Sequence, residues 1–365
     1  MQFSIARENL LEALQKVVGV IERRQTLPIL SNVLLRVKDG RLTLIGTDLE
    51  IELIATTEIS GQNGETTVAA RKLLDICRLL PTGTVIHSEL KEEKSLEIKA
   101  GRSRFSLVTL PSDNFPEFSL GEVTAEVQLS GEALKKLLAK TLYAMAQQDV
   151  RYYLNGLLLE MEGQAIRAVA SDGHRLAWCE QNLAEPVATI AQPILPRKGV
   201  QELFRLLDGE ETISIQLSSN NIRVELPAVI FFCKLIDGRY PDYRRVFPQD
   251  IHRILICNRQ ELKDAVSRVS ILSNEQFKGI RLEAGSNILK LSAHNPDQEE
   301  AEEELEVNFQ GEPFHAGYNA SYLGDALAHI DSEEVRLSFA DQTFSCLIED
   351  PEDPSVRFIV MPMRL

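Results

Sequence analysis

The stretch NGLLLEMEGQAIRAVASDGHRLAWCE, Asn155 to Glu180, decides how the rest of the chain is read. It breaks into strand-like apolar runs joined by two turns. Glu162-Gly163 sits where a hairpin turn is needed, and Asp172-Gly173 is a strong turn pair. The second turn also places Ser171, Asp172 and His174 within four positions, the residue types of a nucleophilic triad. Triad members meet in space and usually come from distant parts of a chain, so a turn between two strands is the stronger reading.

Working outward, the same order of elements recurs three times. A helical segment precedes each strand group: ENLLEALQKVVGVI from Glu8, GEALKKLLAKTLYAM from Gly131 and RQELKDAVSRVSIL from Arg259. In the second, Leu134, Leu137, Leu138, Thr141, Leu142 and Met145 share one face at helical spacing. The strand groups are NVLLRVKDGRLTLIGTDLEIELIA, the opening stretch itself, and GIRLEAGSNILKLSAHNPDQEEAEEELEV. A second helix follows each, in ARKLLDICRLLP, PRKGVQELFRLLD and NASYLGDALAHID, and then more strands. The period is roughly 120–130 residues, one domain's worth. The fold class is therefore α+β, three repeated domains with two helices each packed on antiparallel sheet, bounded near 1–121, 122–246 and 247–365. SDGHRL occupies the slot that GTDLEI and AHNPDQ hold in the other repeats. It is a hairpin connection in a repeated scaffold.

The composition, 44% hydrophobic and 25% charged over 365 residues, is that of an ordinary globular protein. No apolar run approaches the ~20 residues of a membrane span, and MQFSIARENLLEAL lacks the basic and apolar regions of a secretion signal. Five dispersed cysteines without a C-x-x-C pair point to reduced thiols in a cytoplasmic protein, with no zinc ribbon. The net charge of −15 opposes nucleic-acid binding on average, but charge is sorted. Acid gathers in DQEEAEEELE. Base gathers on the helices: Lys16, Arg71, Lys72, Arg78, Lys135, Lys136, Lys140, Arg197, Lys198, Arg205, Arg259, Lys263 and Arg268. On the third helix Lys135, Lys136 and Lys140 lie opposite the apolar stripe.

RRQTLPIL from Arg23, GRSRFSLVTLPSDNFP from Gly101, QDVRYYLNG from Gln148, SDGHRLA, PRKGVQEL, DGRYPDYRRV from Asp237, ILSNEQFKGIRL from Ile271 and the terminal VMPMRL carry a specific resemblance. Over its whole length the chain resembles the bacterial sliding-clamp family, the beta subunits of the replicative DNA polymerase. The resemblance implies a head-to-tail homodimeric ring around double-stranded DNA, with helices lining the hole. It implies a cytoplasmic, non-catalytic processivity subunit with no cofactor and no metal. The implied partners are the clamp loader, replicative and translesion DNA polymerases, and repair proteins that bind through short peptide motifs; no membrane is implied.

Residue by residue, the resemblance implies DNA contacts at Arg24, Arg71, Gln148, Tyr152, Tyr153 and Lys198. It implies a shallow peptide groove built from Leu154, Ser171, Gly173, His174, Arg175, Leu176, Pro241, Arg245, Val246, Asn319, Tyr322, Ser345, Val360, Met361, Pro362, Met363, Arg364 and Leu365. Ser171 stands where the family commonly has threonine. The flexible methionines suit a socket that serves several partners. Ring closure is implied at Phe105 and Leu107 on an edge strand, facing Ile271 and Leu272 of the other chain, with Arg102 and Arg104 near the acidic run Glu299 to Glu304. Two other readings compete. A hydrolase on Ser171, Asp172 and His174 needs a pocket that an open hairpin rarely supplies. A three-repeat scaffold that binds proteins without DNA lacks a salt-sensitive association with circular DNA.

Overall fold

The computed structural model describes residues 1–22, 27–209, 211–340 and 345–364. Each repeat opens with a short strand that the expected order lacked, Gln2–Ala6, Ala125–Ser130 and Arg253–Asn258, and runs directly into an eleven-residue helix: α1 (Arg7–Val17), α3 (Gly131–Thr141) and α5 (Arg259–Val269). Each of these runs on into a three-residue 3₁₀ turn, Val18–Val20, Leu142–Ala144 and Ser270–Leu272. The second helices are α2 (Ala70–Leu79), α4 (Arg197–Leu206) and α6 (Ala320–Ala328). The stripe expected on α3 is inside: Leu134, Leu137, Leu138 and Thr141 are buried. Among the described residues no helix is long and apolar enough to cross a membrane.

Turn chemistry repeats as faithfully as the helices. Each strand group begins with a hairpin closed by two residues. Asp39-Gly40 (φ 50° and 75°) and Ser286-Asn287 (φ 51° and 61°) both enter the left-handed region, as a tight hairpin requires. In the middle repeat Glu162 pairs with Ala165, so the turn is Gly163-Gln164, one residue later than the expected Glu162-Gly163. Gly163 takes the positive φ of 58° there, and a glycine does so without a Cβ penalty. The next connection is built on one side chain each time. Asp48 Oδ1 accepts from the amides of Glu50 (2.9 Å) and Ile51 (2.7 Å). Asp172 Oδ1 accepts from His174 (2.9 Å) and Arg175 (3.0 Å), and Asn295 Oδ1 from Asp297 and Glu299, both at 3.0 Å. An Asx turn is thus a property of the repeat, and Asp172 is its builder in the middle copy.

The chain packs as two compact units, residues 1–134 with 201–235, and residues 135–200 with 236–365. Three isolated domains would each close their own sheet. Here strands of neighbouring repeats pair edge to edge instead. In the first unit Val229–Lys234 pairs with Ile51–Glu58, Cys233 opposite Ile51, and the described strands form one 13-stranded sheet. In the second unit Arg175–Asn182 pairs with Val356–Val360, Arg175 opposite Val360 and Cys179 opposite Val356, inside a nine-stranded sheet. A separate four-stranded sheet runs in the order Glu300–Glu306, Ile288–His294, Gly279–Gly285, Phe314–Asn319. All five cysteines are buried and free, and burial pushes the thiols of Cys77, Cys179 and Cys257 up to about 12. They are packing residues.

Candidate functional site

The Ser171–His174 turn answers the triad question. Ser171 Oγ donates to the Arg175 carbonyl at 2.6 Å and accepts from the Gly173 amide at 3.1 Å. Asp172 spends one oxygen on the turn and the other on Arg175 Nε at 3.0 Å. The His174 ring lies exposed, near parallel to Tyr322 with centroids 6.5 Å apart. No proton path runs from Ser171 to His174, so the arrangement is architecture and not nucleophile activation.

Arg175 ties this turn to its surroundings. Its Nη1 sits 2.5 Å from Asp325 on α6, and Nη2 donates to the Tyr143 carbonyl at 3.1 Å. The guanidinium lies 4.6 Å from the Tyr322 ring centre and 5.2 Å from that of Tyr143. Burial works against its charge, yet Asp325 and Asp172 hold its pKa above the ordinary value. Arg175 clasps two repeats together and leaves His174 on the surface.

The tail is pinned beside the turn. Met361 N–H donates to the His174 carbonyl (2.9 Å) and Met363 N–H to the Gly317 carbonyl (2.8 Å), while Ser345 Oγ donates to Met361 Sδ at 2.8 Å. Leu154, Leu176, Ser345 and Val360 are buried and form the floor. Val246 packs against the same cluster as Leu154 and Leu176. Ser171, Tyr322, Met361, Pro362 and Met363 are half-buried, and Gly173, Pro241, Arg245 and Arg364 are exposed. Arg245 pairs with Asp242 at 2.9 Å. Asn319 serves α6 itself, accepting from Ser321 N (2.9 Å) and Tyr322 N (3.2 Å). Leu365 lies outside the described residues. A cavity of about 320 Å³ adjoins the floor between Tyr143, Gln147, His174, Arg175 and Tyr322.

A residue the sequence reading passed over borders this site. Arg151 donates to both oxygens of Asp149 (3.0 and 2.8 Å) and to the Asp172 carbonyl (3.1 Å). Its hydrogen bonds hold the Asp149 carboxyl down to about 2. Gly173 takes a φ of 88°, which favours glycine, and a Cβ there would sit 2.7 Å from this guanidinium and displace it. The loop that Arg151 anchors carries Gln148, held at a positive φ of 56° and exposed, and Val150, 96% exposed. Tyr152 is 55% exposed. Tyr153 meets it edge-on at 5.7 Å and packs on the buried cluster, so the two tyrosines divide between surface and core.

Of the other expected DNA contacts, Arg24 lies outside the described residues. Arg71 is exposed in the first unit and donates to the Ile21 carbonyl at 3.0 Å, and Lys198 is exposed on α4. The basic helix faces are partly neutralised, contrary to the expectation of an open lysine face on α3. Lys136 pairs with Asp353 (2.6 Å), and the buried Lys140 with Asp331 (2.7 Å). Lys16 pairs with Glu12, Arg205 with Glu202 and Arg268 with Glu303. Lys72, Lys135 and Lys263 carry no ion pair among the described residues.

Two strand edges stand out. From Ser103 to Val108 the strand Ser103–Leu110 is paired on one side only, with Ser95–Ala100; a second strand joins only at Thr109 and Leu110. Leu107 faces the interior and is 8% exposed, and Phe105 is half-buried. The apolar side chain this edge presents outward is Val108, 79% exposed, which strict alternation with Leu107 would have revealed. In the second unit Glu300–Glu306 is an edge strand, and the turn bearing Ile271 (76% exposed) and half-buried Leu272 packs against it. Lys290 and Arg268 pair with Glu302 and Glu303.

Comparison with known proteins gives one result throughout. The DNA polymerase III beta subunit family matches by its N-terminal domain at residues 1–119, its central domain at 128–242 and its C-terminal domain at 244–364. A beta sliding clamp of Pseudomonas aeruginosa is 48% identical and one of Escherichia coli 47% identical, each over 100% of both chains. A crystal structure of the DNA polymerase III subunit beta from Pseudomonas aeruginosa superposes with a TM-score of 0.98 at 46% identity, covering 100% of both chains. A sliding clamp of the same organism bound to griselimycin gives 0.96, at the same identity and coverage.

Proposed function

The chain belongs to the DNA polymerase III beta subunit family, and on that premise we propose how its own residues do the work of a sliding clamp. It is a non-catalytic processivity factor of DNA replication, and its partners are duplex DNA, the clamp loader and DNA polymerases. Three domains, 1–121, 122–246 and 247–365, make up each chain of a head-to-tail homodimer in the cytoplasm. Two strand edges, one in each unit, support that joint. One carries Arg102, Arg104 and Val108, and the other carries an acidic strand beside Ile271. Opposite charge and exposed apolar side chains suit strand-to-strand pairing between chains.

Sliding requires weak, sequence-blind attraction to phosphates, with topology supplying persistence. The half-neutralised helix faces suit that better than an uncompensated basic surface. Arg24, Arg71, Gln148, Tyr152, Tyr153 and Lys198 are the proposed DNA contacts. The exposed Tyr152 offers a face for base stacking.

Partners, repair proteins among them, dock a short motif in the groove formed by the Ser171–Leu176 turn, Leu154, Pro241–Val246, Tyr322 and the tail. The observation that carries this is the pair of tail bonds at His174 and Gly317, which hold two flexible methionines over a buried apolar floor. Loading onto circular DNA tests the whole reading. The protein stays on the circle and leaves when the DNA is cut. Retention on linear DNA with free ends would reject the topological tether.

A further inference from the structure

The four-stranded sheet carries a hollow that the groove residues border. Arg281 lies opposite Gly317 on one side and Ser292 on the other, and Gly317 bridges to Met363. Two positions along, and so on the same face, Gly279 pairs with Asn319. Gly279 and Gly317 thus leave side chains out of two successive pairs on that face. There the structure holds a cavity of about 540 Å³ whose lining includes Phe277, Arg281, His294, Pro296, Met363 and Arg364. It exceeds the 320 Å³ space beside His174.

Continuity with the groove rests on specific bonds. Asn319 donates through Nδ2 to the Phe277 carbonyl at 3.0 Å and caps the helix turn that holds Tyr322. Met363 and Arg364 belong to the tail pinned against His174 and Gly317. The chemistry is two-sided. Phe277, 55% exposed, forms an apolar wall with Pro296 and Met363. Arg281 has only a 3.6 Å approach to Glu283, and Arg364 carries no ion pair among the described residues.

We propose that this cavity is a second seat for the peptide bound in the groove, taking one large apolar residue and an adjacent carboxylate from the motif's flank. The inference rests on the groove reading above. Apolar walls with two arginines fit an acidic peptide better than a nucleic-acid strand, whose repeating phosphates call for a basic track.

The test is a titration of the full-length protein with labelled peptides. One is a core peptide carrying a glutamine and a leucine-phenylalanine pair. The others extend it at either end by a tryptophan and an aspartate. One extended peptide should bind about tenfold tighter than the core. Phe277→Ala and Arg281→Ala should each erase most of that gain and leave core affinity unchanged. So should an extension with alanine and asparagine instead. If the core binds and neither extension adds affinity, the cavity inference fails alone. If the core does not bind, the groove reading fails and takes this inference with it. An extension gain untouched by both substitutions overturns the assignment of the seat. An oligonucleotide whose binding falls with Arg281→Ala, while extensions add nothing, assigns the rim to phosphate and also overturns it.

Discussion

Glu52 shows what one buried group does to stability. It is 1% exposed on a central strand, and its carboxyl accepts from the Phe118 amide at 3.1 Å. Burial pushes its pKa up to about 7; the Phe118 N–H and Arg36 pull it down, and Glu117 pushes it up. The folded chain therefore binds this proton more tightly than the unfolded chain does. The stability it contributes is whole below about pH 4.5 and is lost as pH rises through 7, a change on the order of 3 kcal/mol. Thermal melting of Glu52→Gln should match wild type at pH 5 and exceed it at pH 8. Equal melting at both pH values would show that the carboxyl is not held protonated. His174 is the opposite case, exposed and without a structural load on its ring. His174→Ala should weaken a groove peptide by about 1 kcal/mol or more, leave melting unchanged and remove no hydrolytic activity. Peptide titration beside a generic esterase assay checks both halves.

Among the elements, the turn Tyr243–Val246 is the groove wall most dependent on a distant strand. Glu160, 0% exposed on Gly156–Glu162, accepts from Arg244 Nη2 (2.7 Å), Tyr243 OH (2.9 Å), Gln192 Nε2 (2.7 Å) and Arg167 Nη1 (3.1 Å). Burial alone would raise its pKa, and these donors keep it below the usual value. The charge is satisfied, and it fastens the turn that carries Val246. Replacing Glu160 by alanine leaves Arg167 on Glu162 and Glu180 and Arg244 on Glu162, but takes the acceptor from Tyr243 OH and Gln192 Nε2, and should cost about 1–3 kcal/mol. Arg244→Ala leaves Arg167 and Tyr243 on Glu160 and removes one of the two side chains that fasten the turn to it. It should melt within about 1 kcal/mol of wild type yet bind groove peptide several-fold more weakly. Unchanged peptide affinity in that variant would show that the wall holds its place without the network.

At the scale of the whole molecule the strand edges at Val108 and beside Ile271 matter most. Ile271→Ala with Leu272→Ala removes apolar surface worth about 3 kcal/mol at each of the ring's two joints, roughly 10⁴-fold in dissociation to monomers. Sedimentation at low concentration should show folded monomers. Val108→Asp should do the same from the other unit, since it places a charge on the outward face of the opposite edge. A dimer that survives both changes would mean that the joint lies elsewhere.

The helix spans, the hairpin slots and the threefold repeat were legible because each depends on local pattern: apolar spacing, an Asx side chain, a residue that tolerates positive φ. The composition of the groove was legible only through family resemblance, since its pieces lie far apart in the chain. What the sequence could not indicate was partnership. Arg175 reaches Asp325 across 150 positions, Lys140 reaches Asp331 across 191, and Glu160 reaches Arg244 across 84. Strand register between repeats, Arg175 against Val360 in the second unit and Cys233 against Ile51 in the first, is likewise not encoded by local periodicity. Register also decides that Leu107 turns inward and Val108 outward. The chain's own pattern thus determined the elements and their order, and through-space packing decided which charges are neutralised, which turn is a wall and which edge remains open. Electrostatic and apolar contacts depend on distance in space, and distance along the chain does not determine it.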